Sequence, residues 1–268
     1  MVPEIPPARG DRIGPGPDAP AVVQGRGLTM RFGTNTVFRD VSFDVRAGEV
    51  FVILGGSGCG KSTLLKLLVG LRRPTEGSIM VLGEDLVAAR GAARRRLLQR
   101  FGVMFQLGAL FGSMTLLENV ILPLESFTDL PREAVLEIAR AKLGMVGLGD
   151  ATHKLPSEIS GGMVKRAAIA RAMALDPPLL FLDEPSAGLD PITSAGLDQL
   201  ILTLARDLGV TFVIVTHELD SILTVADRVI MLDKAARGMI AEGDPRVLRA
   251  TSTEPTVRAF FNRIAEAA

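Results

Sequence analysis

The sequence predicts an α/β protein with a largely parallel core sheet, on three observations. Short apolar runs such as "VFVILG" (50–55), "LLFLDE" (179–184) and "VTFVIVTH" (210–217) read as strands buried on both faces. Stretches between them carry helical periodicity: in "TSAGLDQLILTLARDLG", Leu197, Ile201, Leu204 and Leu208 fall on one face. Strand and helix then alternate along most of the chain, as a parallel sheet with crossover helices requires.

Taken in order, residues 1–22 are rich in Pro and Gly and read as a disordered tail. "LTMRFGTNTVFRDVSFDVRAGEV" reads as short strands with turns at "FGTN" and "RAGE". After "VFVILG" comes the helix "KSTLLKLLVGL", able to bury Leu64, Leu65, Leu67 and Leu68 on one side. "AARRRLLQR" is a basic helix whose Arg94, Arg95 and Arg96, with Arg100 beyond, read as a solvated face. "FGVMFQ" is a strand, and residues 115–150 are mainly helical, with Pro131 where a helix can begin. "GGMVKRAAIARAMAL" is a helix, "DRVIMLDK" a further strand, and residues 246–268 a helical extension. No internal repeat is present.

The composition narrows the function. Thirty basic residues balance thirty acidic ones among 268, which gives no support to bulk nucleic-acid binding. A mean hydropathy of +0.32, without Trp or Tyr, hints at a buried partner surface. No run of 18 uncharged apolar residues is present, so nothing reads as a membrane span. Cys59 is the single cysteine and suits a reducing compartment; His153 and His217 are too far apart to form a local zinc motif.

"VILGGSGCGKST" (52–63) follows a strand and opens a helix, and Gly55 to Ser62 match G-x-x-x-x-G-K-[ST]. Gly55, Gly56, Ser57, Gly58 and Gly60 let backbone N–H groups converge on phosphate oxygens, and the helix start at Lys61–Thr63 adds its free donors. Lys61 would reach the β and γ phosphates, and the Ser62 hydroxyl would ligate Mg²⁺. Cys59 fills a variable slot of the loop as a small residue facing the protein. In "LLFLDEP", Asp183 would hold Mg²⁺ while Glu184 polarises the attacking water. His217 follows an apolar strand, and a neutral imidazole there can touch both water and γ-phosphate.

With these segments in order, the chain resembles the ATP-binding cassette ATPases over residues 24–245. "SGGMVKR" (160–166) is similar to the signature segment, "SAGLD" (186–190) to the D-loop, Gln106 to the Q-loop glutamine and His217 to the switch histidine. The resemblance implies a mostly parallel core sheet, an antiparallel β subdomain, and a helical subdomain at about 107–175 within a domain at 23–245. It implies ATP and Mg²⁺ as ligands, with Gln106 beside the metal and in catalysis, and Phe32 stacked on adenine. It also implies a head-to-tail dimer in which Ser160, Gly161 and Gly162 close on the partner's γ-phosphate and Asp190 couples the two sites. Met163 and Ile159 depart from the common glutamine and leucine, and Phe32 from the common tyrosine.

A finer resemblance lies in "FQLGALFGSMTLLENVILPL", "VTHELDSILTVADRVIMLDK" and the stretch 238–263. These are similar to the ATPases of bacterial intermembrane lipid transporters, the Mla and toluene-tolerance group. That implies a membrane permease, a periplasmic lipid-binding protein of the mammalian-cell-entry (MCE) type, and a peripheral place on the cytoplasmic face of the inner membrane. Leu107, Ala109, Leu110, Phe111 and Met114 form an apolar run that fits docking to such a permease. Two alternatives stay open: an importer of amino acids or other solutes, and a cassette acting without a permease on a nucleic-acid or protein assembly.

Overall fold

The computed structural model describes residues 15–16 and 18–263. Strands β1 (Ala21–Phe32) and β2 (Asn35–Arg46) pair antiparallel around a tight turn, and β4 (Glu76–Val81) and β5 (Glu84–Asp85) extend them to a four-stranded antiparallel sheet, β2-β1-β4-β5. Ala21 and Val22, placed in the tail by sequence, are therefore sheet residues; residues 1–14 and Pro17 of that tail lie outside the described ones.

The second sheet holds β3 (Val50–Gly55), β6 (Phe101–Met104), β7 (Leu179–Asp183), β8 (Thr211–Val215), β9 (Arg228–Asp233) and β10 (Gly238–Gly243). Its order is β10-β9-β3-β8-β7-β6, parallel throughout except for β10 against β9. Every residue of β3, β7 and β8 is buried, and the pleat deals them alternately to two cores. Val50, Val52, Leu54, Leu180, Leu182, Phe212 and Ile214 face one. Phe51, Ile53, Leu179, Phe181, Val213 and Val215 face the other, with β1, β2 and the helix α1 (Lys61–Leu68).

The helices α2 (Gly91–Leu98), α3 (Leu116–Phe127), α4 (Arg132–Met145), α5 (Gly161–Ala172), α6 (Pro191–Leu208), α7 (Leu219–Val225), α8 (Pro245–Thr251) and α9 (Pro255–Asn262) complete the chain. Among the described residues, no helix is long and apolar enough to cross a membrane. The short strands β4, β5 and β10 and helix α7 escape sequence reading, because their buried residues are too few to set a period.

Two side chains depart from expectation. Leu208 is 50% exposed: it ends α6, next to the left-handed turn at Gly209 from which the chain leaves the helix and enters β8. Arg94 is not a solvated residue; its guanidinium donates to the carbonyls of Leu86 (3.1 Å) and Gly70. Arg100 pairs with Glu84 at 2.8 Å, while Arg95 and Arg96 are exposed as expected.

A capping box starts α3: the Thr115 hydroxyl accepts from Glu118 N and Glu118 accepts from Thr115 N. One turn in, fully buried Asn119 accepts from Phe111 N (2.8 Å) and donates to the carbonyls of Phe111, Met114 and Thr115. The loop before α3 is thereby tied to a side chain with no access to water. Asn119→Ala is expected to lower the unfolding free energy by roughly 1–3 kcal/mol, the cost of stranding such groups. Urea denaturation reads this directly, and an unchanged midpoint would mean that the loop holds itself.

Candidate active site

The carboxyl ends of the parallel strands lie level. Val215 on β8 is opposite both Ile53 on β3 and Asp183 on β7, and Met104 on β6 is opposite Leu182. Ligands of α/β sheets bind at this edge. The loop before α1 leaves the sheet here, as do Glu184, His217 and, two residues beyond β6, Gln106.

A Cβ at Gly55 would stand 2.2 Å from the Leu232 carbonyl oxygen and 2.7 Å from Cys59 Sγ, so only glycine fits. Gly56, Ser57 and Gly58 are exposed. Helix α1 begins at Gly60 with no side-chain cap and no acidic residue in its first turn, whereas side chains cap α3, α5, α6 and α8. Its first N–H groups are left for an anion. Packing sustains this uncapped start: Leu64, Leu65, Leu67 and Leu68 are buried, each worth ~1.5–3 kcal/mol. Lys61 Nζ donates to the carbonyls of Gly55 (2.8 Å) and Gly56 (3.0 Å), so the ammonium rests on the loop. Ser62 is exposed and Thr63 half-buried beside it.

Asp183 and Glu184 are buried together, and three oxygens there, Asp183 Oδ1, Glu184 Oε2 and Ser186 Oγ, have no hydrogen-bond partner. Burial, then the charge of Glu184, pushes the Asp183 pKa above the usual carboxylate range, against the pull of Lys66, Lys165 and Lys61. Glu184 takes a left-handed backbone (φ 48°), at a cost of about 1–3 kcal/mol for a residue with a Cβ, and its N–H donates to Val215 O at 2.8 Å. Its Oε1 lies 2.8 Å from His217 Nδ1. An ionised carboxylate only accepts, so Nδ1 carries the proton in this pair.

The remaining predicted residues divide. Cys59 is 1% exposed and burial raises its pKa, so it belongs to the loop by its backbone alone. Ser160 caps α5, and Gly161 and Gly162 begin it, with Leu189 and Thr193 as the nearest side chains to the two glycines. Ser160 Oγ accepts from Met163 N at 3.3 Å. A Cβ at Gly162 would lie 2.3 Å from Thr193 Cγ2, so this glycine also serves the packing of α5 on α6. The Asp190 carboxylate caps α6, accepting from the N–H groups of Ile192 (3.0 Å) and Thr193 (3.1 Å) and from the Thr193 hydroxyl, bonds that hold its pKa low. Phe32 is 43% exposed, with the Arg72 guanidinium 4.7 Å over its ring. In the run after Gln106, Leu107 is 87% and Phe111 50% exposed, while Leu110 and Met114 are half-buried.

Sequence reasoning missed Lys165 and Ser186. Lys165 is 7% exposed and donates to the carbonyls of Gln106 and Glu184 (3.3 Å). Its signal was available: it lies three residues after Gly162 and three before Ala168, on the buried face of an alanine-rich helix.

A glycine-rich loop before an uncapped helix, level with two buried carboxylates and a histidine bonded to one of them, is the arrangement of a phosphate-loop ATPase. The chain belongs to the ABC transporter family, whose model matches residues 38–187. It is 44% identical over 240 residues to the ribonucleotide transport ATP-binding protein mkl of Mycobacterium leprae, covering 90% of this chain and 68% of that one. Against the same-named Mycobacterium tuberculosis protein it spans 66% of the length, about two thirds of these relatives. It is 39% identical over 245 residues to the Escherichia coli K12 intermembrane phospholipid transport system ATP-binding protein MlaF, covering 91% and 90%. Among solved structures, the dimeric post-hydrolysis state of the ATP-binding cassette MJ0796 bound to ADP and Pi matches with a TM-score of 0.74 at 30% identity, over 83% of this chain and 98% of that one. The α/β cassette fold and the ATP-hydrolysing site follow the family.

The thiol of Cys59 is expected to react with maleimide at least about tenfold more slowly in the native protein than in guanidinium, because burial and a raised pKa both remove thiolate. Equal rates in the two states would show that the loop opens freely.

Proposed function

We propose that this chain is the ATP-hydrolysing subunit of a bacterial transporter that moves phospholipid between inner and outer membranes. The match to MlaF carries the reading, because it covers nine tenths of both chains. In this reading the protein is peripheral on the cytoplasmic face of the inner membrane. It works with an integral permease, which the exposed Leu107 and Phe111 suit, and with an MCE-type lipid-binding protein. The same reading keeps 23–245 as the ATPase domain, with 107–175 its helical part and 246–268 an extension. A second reading, ribonucleotide transport, takes its support from the names of the mycobacterial relatives.

ATP is the substrate, and Lys61 exchanges its two loop carbonyls for β- and γ-phosphate oxygens. The orphaned Asp183 Oδ1 and the exposed Ser62 hydroxyl are the hard oxygen donors a small divalent cation prefers, so Ser62, Asp183 and Gln106 are the residues to hold Mg²⁺. When bound, Mg²⁺ neutralises charge on the β- and γ-phosphate oxygens. Glu184 orients the attacking water and receives its proton as the γ-phosphoryl leaves ADP, and His217 fixes the carboxylate through Nδ1. Phe32 offers its ring face to adenine. Two copies pair head to tail, with Ser160, Gly161 and Gly162 closing on the partner's nucleotide and Asp190, by capping α6, shaping that interface.

Glu184→Gln is expected to bind MgATP while hydrolysing it at least ~10²-fold more slowly, measured as steady-state phosphate release. Wild-type turnover would remove Glu184 from this role. Ser160→Arg should abolish the ATP-dependent dimer of the Glu184→Gln protein, read as solution mass with and without MgATP; a dimer that forms undiminished rejects the clamp. The cargo is decided with the complete transporter in vesicles. Phospholipid should stimulate its ATP hydrolysis and ribonucleotides other than ATP, such as pyrimidine ribonucleoside monophosphates, should not, and the reverse result would favour the second reading.

A further inference from the structure

Beside the carboxylates lies a buried cation, Lys165, that has no part in the chemistry above. Lys165 lies in α5, one and a half turns beyond Ser160, yet its Nζ reaches out of the helix to two separate loops. It donates to the backbone carbonyl of Gln106 and to that of Glu184 at 3.3 Å. We propose that Lys165 is a positioning residue for ATP hydrolysis, tying the start of α5 to the Gln106 loop and to the strained turn at Glu184 so that the three move together. The proposal deepens the ATPase reading and rests on it.

Burying an ammonium costs several kcal/mol unless it is well paired. Burial does pull the Lys165 pKa down, while the carboxylates of Glu184 and Asp183 push it back up. A merely structural side chain at this place on an alanine-rich face would be apolar, as Ala167, Ala168 and Ile169 are. What a cation adds is a pair of directed bonds to carbonyls that carry the residues on either side of the γ-phosphate. Glu184 gains from such a tie, because its left-handed backbone is strained, its N–H is bonded to Val215 on the strand side, and its carbonyl otherwise accepts from Ala187 N, within its own turn, at 3.3 Å. Arg171, on the same helix, supplies an internal comparison. It donates to the carbonyls of Gly108 (3.0 Å) and Ala109 (2.6 Å), holding the Gln106 loop farther out.

The test uses full-length protein carrying Lys165→Met, Lys165→Arg or Arg171→Met, with two readouts. Lys165→Met should lower kcat for ATP at least about tenfold with KM within about threefold, the split expected when an interaction serves the transition state rather than binding. Lys165→Arg, which keeps the donors, should recover at least about half of kcat, and Arg171→Met should stay within about threefold of wild type. Hydrogen exchange, followed by mass spectrometry on peptides spanning 105–110 and 184–188, should rise in both segments in Lys165→Met and only in the first in Arg171→Met. Exchange needs no turnover, so it judges the tie even if the wild-type chain were to hydrolyse nothing, a result that would instead overturn the ATPase reading. The proposal is overturned by unchanged exchange at 184–188, by wild-type kcat in Lys165→Met, by an equal loss of kcat in Arg171→Met, or by a folded Lys165→Arg that recovers nothing.

Discussion

Two consecutive carboxylates at the end of a buried strand set the terms for the rest of this molecule. Asp183 and Glu184 lie where water is scarce, the charge of Glu184 adds to the cost of ionising Asp183, and an oxygen of each has no partner. Lys61, Lys66 and Lys165 act on that negative charge from α1 and α5, so helices that approach from different directions are held to one point by electrostatics as well as by packing. The arrangement is costly in an isolated chain, and in the proposed ATPase reading a polyphosphate and its cation offset that cost. Stability is given up at the edge of the sheet where the chemistry is done, and is recovered in the two apolar cores behind it.

Much of this was legible in the sequence, for identifiable reasons. Strands β3, β7 and β8 are buried on both faces, so their composition alone gives them away. The loop 55–62 carries its whole G-x-x-x-x-G-K-[ST] spacing in one unbroken segment between a strand and a helix. Legibility fails where a residue serves two purposes. Asp190 and Ser160 were read for what they offer a partner, and the structure shows them capping their own helices. Arg94 sits in a basic run that looks solvated, yet it bonds to carbonyls of two separate segments. Lys165 was passed over because its partners are backbone carbonyls far away in sequence, which no local pattern records.

The loop after Gln106 joins the two ends of the problem. Its apolar side chains are exposed at Leu107 and Phe111, while its backbone is bonded by three side chains from two helices: Lys165 and Arg171 from α5, and Asn119 from α3. A loop held by its backbone keeps its position whatever its side chains touch. Under the proposed tie, pressure on Leu107 is passed to α5 and on to Glu184, while pressure on Phe111 is passed to α3 through Asn119.

The contact between Gly162 and Thr193 bears on how this fold drifts over evolutionary time. Thr193 cannot turn aside easily, because its hydroxyl is engaged by Asp190, so a methyl group at position 162 would collide with it whether or not any nucleotide is ever hydrolysed. A descendant that had lost its activity would still be under selection to keep that glycine in order to fold. Its presence in a sequence is thus a poor witness of a working enzyme, and decay should show first at Gly161, where an added methyl would make only an ordinary 3.7 Å contact with Leu189.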